Sequence, residues 1–270
     1  MREILCRRYF YITGGNLSGY QIREEKQMHE KGICDIHCHI VPGVDDGAAG
    51  LDETRKLLRM EYDQGVRKII ATPHFRFDMF ETPPEVLKEQ FKLAEKAAAE
   101  ISPELRIYMG CEIHSAMEML PMLREKKIMT MAETRWVLVE FSGNAGESYI
   151  RERLSTLLCG GYKPIIAHIE RCRPMRENLG FVADLVSMGA WMQINADSII
   201  GKEGFFTGRY CRKAMKYDLI HFVGSDCHDS RKRIPRIGEA YKTVIKIMGQ
   251  DYADELFIHN PERILSCNRI

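Results

Sequence analysis

The residues best suited to bind metal ions fall in short, strand-like apolar runs of this chain. His37 and His39 form an H-x-H pair, and Asp226 and His228 repeat that spacing in the segment GSDCH. Alternate side chains of a β-strand point to the same face, so each pair directs two ligands to one side. Four further candidates lie in other apolar runs, namely His74, Glu112, Glu140 and His168. Because a parallel barrel gathers the C-terminal ends of its strands at one mouth, we expect these side chains to converge.

The chemistry of this set favours catalytic divalent metal ions. Glu112 and Glu140 each interrupt an apolar run, and a carboxylate in such a run is seldom fully buried unless it is paired or bound to metal. Nitrogen and carboxylate ligands without a thiolate pattern suit Mn²⁺, Fe²⁺ or Zn²⁺ better than Ca²⁺ or a structural zinc site. The number of candidates exceeds the need of one ion, so we expect two or three ions, a grouping suited to hydrolysis of phosphate esters.

Several other polar residues have a structural interpretation as well as a functional one. Asp45 and Asp46 lie in the turn VPGVDDGA, where they either shape the turn and cap the following helix or supply a further ligand. His114 follows Glu112 by two residues and is a weaker candidate for the mouth. The remaining histidines lie away from strand ends and are interpreted as surface or packing residues: His29, His221 and His259.

The elements that must position these residues alternate between strand and helix. Seven runs have strand character: 33–40, 68–74, 106–113, 134–141, 164–169, 191–195 and 220–228. Six segments have apolar residues at helical spacing: 51–64, 84–101, 148–159, 180–188, 205–216 and 237–248. This alternation predicts βα units around a parallel sheet, and the absence of a glycine-rich loop after the first strand disfavours an open nucleotide-binding sheet. We therefore predict a single-domain α/β protein with a distorted (β/α)7 TIM-like barrel.

Composition limits the partners and the compartment. The 270 residues carry a net charge of +1, which gives no electrostatic reason to expect nucleic acid as a partner. No apolar run reaches the roughly 18 residues of a membrane-spanning helix, and the N-terminus lacks the features of a signal peptide. The 9 cysteines lie mostly within apolar runs, which indicates free thiols in a reducing cytoplasm. Residues 1–30 lack the alternating pattern, so we predict a non-catalytic extension followed by a catalytic domain over residues 31–270.

Several motifs in order resemble the PHP superfamily, and most closely the bacterial metal-dependent protein tyrosine phosphatases of capsular and exopolysaccharide operons (the CpsB/YwqE type). The motifs are DIHCHIVPGVDDGA, ATPH, GCE, VEF, IIAHIER, GSDCH and HNPERIL. The resemblance covers the chain from about Ile33 to the C-terminus. It implies a distorted (β/α)7 barrel, a manganese centre of two or three ions, and phosphotyrosine on a membrane-associated tyrosine autokinase as substrate. Residues 1–27 have no counterpart in it, and Phe75 stands where many relatives carry a second histidine.

The resemblance also implies roles for individual residues. Arg171 in HIER and Arg233 after GSDCH are similar to the arginines that hold the substrate phosphate, with Arg231 as an alternative to Arg233. Guanidinium groups suit that role because they donate bidentate hydrogen bonds to phosphate oxygens. The implied metal ligands are His37, His39, Asp46, His74, Glu112, Glu140, His168, Asp226 and His228.

The expected mechanism is in-line attack of a metal-bridging hydroxide on phosphorus without a covalent enzyme intermediate. A phenolate leaving group, with a pKa of about 10 in free tyrosine, needs little help from a general acid, and none is assigned. The segment Phe75–Phe80 either forms an aromatic wall for the phenol ring or packs onto the helix after it.

Four other functions share part of this pattern. Cys227 and Arg233 satisfy the C-x5-R spacing of cysteine phosphatases, but the residues between them are too bulky for a phosphate nest and Asp226 would repel the anion. A PHP phosphatase for a small metabolite such as histidinol phosphate would share the same ligands. A binding module without activity would have lost ligands. An amidohydrolase would usually carry a metal-bridging lysine, which no strand end supplies.

Overall fold

The computed structural model describes residues 32–269, so the predicted extension over residues 1–30 lies outside the described residues. The described chain contains nine short strands: β1 Ile33–Cys38, β2 Val66–Ala71, β3 His74–Phe75, β4 Arg106–Met109, β5 Glu112–His114, β6 Trp136–Glu140, β7 Lys163–Ile166, β8 Trp191–Asn195 and β9 Phe222–Gly224. All the paired strands are parallel, which confirms the predicted α/β class with a parallel sheet.

The helices alternate with these strands. In chain order the described α-helices are α1 Leu51–Asp63, α2 Pro84–Ile101, α3 Met119–Arg124, α4 Glu147–Cys159, α5 Arg173–Glu177, α6 Leu179–Met188, α7 Ala196–Ile199, α8 Phe205–Lys216, α9 Ile237–Met248, α10 Gln250–Asp254 and α11 Asn260–Leu265. All six predicted helices are present, with ends that differ by at most one residue. The shorter helices were not predicted, because four to six residues are too few for a helical period to stand out.

The strand count differs from the predicted seven because two of the predicted strands are interrupted. The second expected strand divides at Thr72 and Pro73 into β2 and β3, and the third divides at Gly110 and Cys111 into β4 and β5. Proline cannot donate a ladder hydrogen bond and glycine weakens a strand, so both sequences break the pairing locally. The strands consequently form a three-stranded sheet in the order β1-β2-β4 and a six-stranded sheet in the order β3-β5-β6-β7-β8-β9.

Short backbone contacts connect the two sheets. An isolated parallel bridge joins Cys38, at the end of β1, to Cys227, just after β9. On the other side the Gly110 N–H donates to the Ala71 carbonyl oxygen at 2.8 Å and the Glu112 N–H donates to the Pro73 carbonyl oxygen at 3.0 Å, so the pairing continues across the two interruptions from one sheet to the other. The bridge from Cys38 to Cys227 brings the C-terminal ends of β1 and β9 together, which places the two ligand pairs of the sequence beside each other.

The core lies inside the sheet and between the sheet and its helices. The side chains of β1 and β6 are almost entirely buried, and one cluster packs Ile36 and Leu138 around Trp136 and Phe222. On helix α1 the buried residues recur at three- and four-residue spacing and so share one face: Thr54, Leu57, Leu58 and Glu61. Within residues 32–269, no helix is long and apolar enough to cross a membrane.

Candidate metal centre

The nine predicted ligands meet at the C-terminal ends of the strands. Three groups each have ligand atoms that lie within 4.8 Å of one another: His37, His39, Glu112 and Asp226; His39, Asp46, His74 and His228; and His74, Glu112 and Glu140. The groups overlap because His39, His74 and Glu112 each belong to two of them. The ninth predicted ligand, His168, places Nε2 at 2.7 Å from Glu112 Oε1 and 3.8 Å from Glu140 Oε1. The structure therefore brings the whole predicted set into one cluster, and the role of each ligand stays a prediction.

Hydrogen bonds on the outer side of three imidazoles orient their inner nitrogens. Nδ1 of His37 lies 3.2 Å from Gln193 Oε1, and Nδ1 of His39 lies 2.7 Å from Asp45 Oδ2. Nδ1 of His228 lies 3.0 Å from the backbone carbonyl oxygen of Asp226. An acceptor at Nδ1 holds a proton on that nitrogen, so Nε2 of each ring is the atom that faces the cluster and is left to bind a metal ion.

Two buried atoms at the centre of the cluster lack an ordinary hydrogen-bond partner. They are Glu112 Oε2 and His228 Nε2, and both residues are almost completely buried. The Nε2 atoms of His37 and His39 also approach each other to 3.3 Å at the same point. Electron-rich atoms packed this closely are satisfied by a shared cation, so the residues fit a divalent metal centre.

The two innermost carboxylates are held ionised. Burial alone would raise the pKa of Glu112, but His37 and His168 outweigh it and hold that pKa well below the usual range. Burial acts in the same direction on Asp226, where His37, His39 and Arg171 again hold the pKa well below the usual range. Ionised carboxylates are the form that binds a metal ion, so this part of the site is ready for one at neutral pH.

Two of the predicted ligands adopt backbone conformations that are rare for residues with a side chain. His168 has φ of 30° and Asp226 has φ of 53°, both in the left-handed region. Such conformations cost free energy and persist where the surrounding structure holds them, often at functional sites. The Asp226 N–H donates to the His37 carbonyl oxygen at 2.7 Å, which holds the two strand ends together.

Two glycines allow close approach beside the histidine pair. A Cβ at Gly224 would lie 2.5 Å from the His37 Cβ, and one at Gly47 would lie 2.3 Å from the His39 carbonyl oxygen. Either contact is closer than any real side chain tolerates, so only glycine fits at these positions. The glycine of VDDGA is therefore needed to bring the acidic turn against β1.

Arg171 and Arg233 converge on the same carboxylate. Arg171 Nη1 donates to Asp226 Oδ2, and Arg233 Nη2 donates to Asp226 Oδ1 at 2.9 Å. Both guanidinium groups are part-exposed, at 39% and 40%, so each combines a fixed anchor with access to solvent. Arg231, the alternative to Arg233, is exposed and contributes only its backbone N–H to Asp229.

Several residues of the site were not identified from the sequence. Gln193 accepts the His37 proton and also the His168 N–H, at 2.7 Å, and its amide donates to Asn195 Oδ1 at 2.8 Å. Asn195 in turn donates to Asp226 Oδ2 at 2.8 Å. Both lie in WMQIN, where polar residues alternate at a strand end, the same signal that H-x-H gives. Glu203 was also missed, because nothing in its local sequence distinguishes it from a solvated surface residue.

The structure separates the remaining histidines from the cluster, except His114. That residue places Nδ1 3.0 Å from Glu140 Oε2, so it supports a predicted ligand. His221 accepts the Met192 N–H at Nδ1, and His259 is exposed, in agreement with the predicted packing and surface roles. His29 lies outside the described residues.

The aromatic segment after β3 lies beside His74. Phe80 stacks on the His74 ring with centroids 5.5 Å apart and planes inclined by 13°. Phe75 is buried and contacts Phe77 edge to face at 5.3 Å. One aromatic ring of this segment therefore faces the cluster, while another belongs to the packing below it.

The Cys227 thiol lies apart from the arginines. It is fully buried and donates weakly to Glu61 Oε1, at 3.9 Å, below the sheet end. A thiol nucleophile must reach substrate as a thiolate in an electropositive pocket. The position of Cys227 beside a carboxyl group disfavours the cysteine mechanism.

A groove elsewhere on the protein holds none of the predicted ligands. It encloses about 570 Å³ between α2 and α3, over β4. Phe91, Ile107 and Leu123 are among the residues that line it. Its lining includes lysines and arginines but no cluster of metal-binding atoms, so the chemistry belongs to the strand ends.

The sequence matches the family model of capsular polysaccharide synthesis proteins, CpsB/CapC, over residues 33–266. The tyrosine-protein phosphatase CpsB of Streptococcus pneumoniae is 39% identical over 239 residues, which cover 86% of this chain and 98% of that protein. The tyrosine-protein phosphatase YwqE of Bacillus subtilis is 32% identical, with 81% of this chain and 86% of that protein covered.

Solved structures give the same result. A chain from the crystal structures of YwqE from Bacillus subtilis and CpsB from Streptococcus pneumoniae, unique metal-dependent tyrosine phosphatases, superimposes with a TM-score of 0.81 at 31% identity. The superposition covers 88% of this chain and 97% of that one. A Listeria monocytogenes lactonase, at 13% identity and a TM-score of 0.61, shares the fold alone. By sequence and structure, this chain belongs to the CpsB/CapC family of capsular polysaccharide synthesis.

Proposed function

We propose that this protein is a metal-dependent protein tyrosine phosphatase. The observation that carries the proposal is the convergence of buried nitrogen and carboxylate ligands around Asp226, with two part-exposed arginines anchored on the same carboxylate. The similarity to CpsB and YwqE, over most of each chain, favours a phosphotyrosine substrate over a small metabolite such as histidinol phosphate.

The proposed cofactor is Mn²⁺, as two or three ions, with Fe²⁺ and Zn²⁺ as alternatives. The three overlapping ligand groups support more than one ion, because no single ion can contact all nine residues. The residues that would hold the ions are the nine predicted ligands, His37, His39, Asp46, His74, Glu112, Glu140, His168, Asp226 and His228. Bound divalent ions would lower the pKa of the attacking water and neutralise charge on the phosphate.

The residues of the chain then bind and orient the phosphate ester. Arg171 and Arg233 both present N–H groups beside Asp226, where they can donate to the equatorial phosphate oxygens as charge develops there. Fixed donors of this kind need no rearrangement in the transition state, which is why they accelerate the reaction. We assign no general acid, since a phenolate departs readily.

The aromatic segment after β3 supports an aryl substrate. Phe80, stacked on His74, offers a flat apolar surface next to the cluster against which the phenol ring can pack. The proposed substrate is therefore a phosphotyrosyl side chain whose ring contacts Phe80 while its phosphate contacts Arg171.

The physiological substrate that we propose is a membrane-associated bacterial tyrosine autokinase that controls capsule or exopolysaccharide synthesis. The support is the match to the capsular polysaccharide synthesis family. The proposal includes a cytoplasmic location, which the free, mostly buried cysteines of the described residues support, since thiols persist in reducing compartments.

We further propose that residues 31–270 form one catalytic domain with a distorted (β/α)7 barrel. The bridge from Cys38 to Cys227 supports this at one junction of the two sheets, and the bonds from Gly110 to Ala71 and from Glu112 to Pro73 support it at the other, where they continue the pairing across the interruptions. In this description β2 with β3, and β4 with β5, each count as one interrupted strand.

The test is hydrolysis of para-nitrophenyl phosphate and of a phosphotyrosyl peptide by purified protein titrated with Mn²⁺, Fe²⁺ or Zn²⁺. We expect activity that depends on metal, disappears with a chelator and survives a thiol alkylator. Inactivation by the alkylator with resistance to the chelator would overturn the mechanism. Histidinol phosphate is the control substrate, and its preference over the phosphotyrosyl peptide would favour the small-molecule alternative.

A further inference from the structure

The loop and helix start beside Arg171 carry an exposed surface that the proposed mechanism does not use. We define the rim surface as Lys202, Phe205, Phe206 and Arg209, at the start of α8 and in the loop before it. The exposed fractions of Phe205 and Phe206 are 68% and 82%, and their rings contact each other at 5.7 Å. Two adjacent exposed phenylalanines are costly in water, and such patches commonly mark binding surfaces.

Contacts of Glu203 place this surface at the mouth of the metal centre. Glu203 Oε1 accepts from Arg171 Nη2 at 2.6 Å, and Oε2 accepts from the Ser198 hydroxyl at 3.1 Å. Phe205 and Phe206 follow by two and three residues, which limits their Cα atoms to about 7 and 11 Å from that of Glu203. A group held by Arg171 is therefore within reach of the rim surface.

The charge of this region is positive and locally unbalanced. Residues 202–218 contain five cations (Lys202, Arg209, Arg212, Lys213 and Lys216) and two acidic residues (Glu203 and Asp218), whereas the whole chain has a net charge of +1. Lys213 and Lys216 lie in the last turn of α8, where they stabilise the helix dipole. Lys202 and Arg209 have no such role, and in the described part of the chain neither pairs with a carboxylate.

The aromatic and basic groups of α8 share one face. Arg209 follows Phe205 by four residues and Phe206 by three, spacings that bring side chains together on a helix. The opposite face is buried through Cys211, Ala214 and Met215. The rim surface therefore combines an apolar contact with flanking positive charge and is oriented away from the core.

We propose that the rim surface binds an acidic polypeptide segment next to the phosphotyrosine of the protein substrate. The inference rests on the proposed function, because the chain on either side of a phosphotyrosine must pass the mouth when Arg171 holds the phosphate. An acidic segment of the substrate chain itself would lie at this location and would carry the charge opposite to that of the rim surface. Carboxylates of the segment pair with Lys202 and Arg209, while an apolar side chain packs on Phe205 and Phe206.

The first test compares two phosphotyrosyl peptides of equal length, one with Asp and Glu beside the phosphotyrosine and the other with Ser and Gln. We expect metal-loaded wild-type protein to prefer the acidic peptide about fivefold in kcat/KM, mainly through KM, as two exposed charge pairs would give. High salt should reduce the preference because it screens exposed charges. Equal efficiency toward both peptides at low salt would overturn the proposal.

Paired variants locate the effect on the protein. We expect K202E/R209E to lose the preference and F205S/F206S to raise KM for both peptides, while para-nitrophenyl phosphate turnover stays at the wild-type level. The controls are K242E, which reverses an exposed charge on α9, and M117S, which replaces an apolar side chain whose exposed fraction is 69%. Loss of para-nitrophenyl phosphate activity in the rim variants, or an equal loss of peptide preference in the controls, would contradict the proposal.

Two further measurements distinguish this proposal from its alternatives. Binding of labelled peptides that carry a non-hydrolysable phosphonate in place of phosphate, followed by fluorescence anisotropy, tests the rim surface even if the proposed hydrolysis fails. The acidic phosphonate peptide should bind more tightly to wild type than to K202E/R209E. Binding to phosphatidylserine vesicles that F205S/F206S abolishes, without any peptide preference, would instead assign the surface to a membrane and refute the proposal.

Discussion

Two pairs of buried carboxyl groups lie beside β1 and have opposite properties. Histidines hold the pKa of Glu112 well below its usual range despite burial, and histidines together with Arg171 do the same for Asp226. Asp35 and Glu61 face no described cation closely, and burial raises the pKa of both. The same residue types are therefore predicted metal ligands in one place and a structural pair with a raised pKa in the other, depending on the groups that surround them.

The second pair supports the first through the backbone. Asp35 Oδ1 accepts the His37 N–H at 3.1 Å and the Ser225 N–H at 3.0 Å, which ties β1 to the segment before Asp226. Asp35 Oδ2 and Glu61 Oε2 lack a donor when both groups are ionised. A proton on Glu61 supplies that donor, so the pair is stable as one carboxylic acid and one carboxylate. Four predictions test this contrast, from the largest expected effect to the smallest.

The largest effect is expected from removing a carboxylate of the metal centre. D226A deletes a ligand and the anchor of both arginines, so aryl phosphatase activity should fall about 10³-fold or more, and H37A should behave similarly. The control D35N keeps the oxygen that accepts two N–H groups and should retain activity within about threefold. The measurement is para-nitrophenyl phosphate hydrolysis at saturating Mn²⁺. Wild-type activity in both D226A and H37A would refute the metal-site assignment.

A smaller loss of activity is expected when lysine replaces a proposed phosphate-binding arginine, because the charge is kept and the planar guanidinium group is lost. R171K removes bidentate donation, because an ammonium group is a point charge, and should lower kcat/KM about 10²-fold. R231K, at an exposed position in the loop after β9, is the matched control and should leave kcat/KM unchanged. Steady-state kinetics with a phosphotyrosyl peptide measure both, and equal values for the two variants would remove Arg171 from the site.

The third effect, on metal affinity, is expected at Gln193, which contacts the predicted ligand His37 and is not itself a predicted ligand. Q193L removes the acceptor that fixes the His37 tautomer, so Mn²⁺ affinity should fall about 10- to 100-fold. Q193E keeps an acceptor oxygen and should retain most of the affinity. Isothermal titration of Mn²⁺ into metal-free protein measures this independently of catalysis. Unchanged affinity in Q193L would show that the hydrogen bond does not position His37.

The smallest effect is expected from the protonated pair and depends on pH. Burial and the charge of Asp35 raise the pKa of Glu61 well above its ordinary value of 4.5 in the folded protein. A raised folded pKa contributes stability that is present below the unfolded pKa and is lost as pH rises through the folded value. E61Q, which stays neutral, should therefore gain in Tm relative to wild type between pH 5 and 8, by about 2–4 °C per kcal/mol. A difference in Tm that does not change with pH would show that Glu61 does not titrate as inferred.

The sequence predicted the parts of this protein whose signals are local. All six long helices follow from apolar spacing, as with Leu58 and Tyr62, four residues apart on α1. The candidate ligands were found because strand-end histidines and carboxylates in apolar runs are rare without a function. The strand count was less accurate, since Pro73 and Gly110 interrupt runs whose apolar character continues through them.

Long-range contacts decide the features of the site that no local sequence pattern reveals. Gln193 and Glu203 are distant in sequence from His37 and Arg171, and only the fold brings them together. The distinction between Glu61 and Glu112 was equally inaccessible, because a carboxyl group is ionised or protonated according to neighbours from other strands. Arg231 and Arg233 could not be separated by pattern, whereas the turn at Asp229 directs only Arg233 toward Asp226.

By itself the sequence determined the class of fold, the ligand types and the kind of ion they suit, because these depend on residue chemistry and on periods of two and 3.6 residues. The tertiary structure alone decided which atoms meet, which histidine nitrogen faces the cluster, which carboxyl groups are ionised and which surface adjoins the mouth. The physical reason is that electrostatic and hydrogen-bond energies depend on distance in space. The chain places His37 and Asp226 nearly two hundred residues apart, and the parallel strands bring them within 3.6 Å.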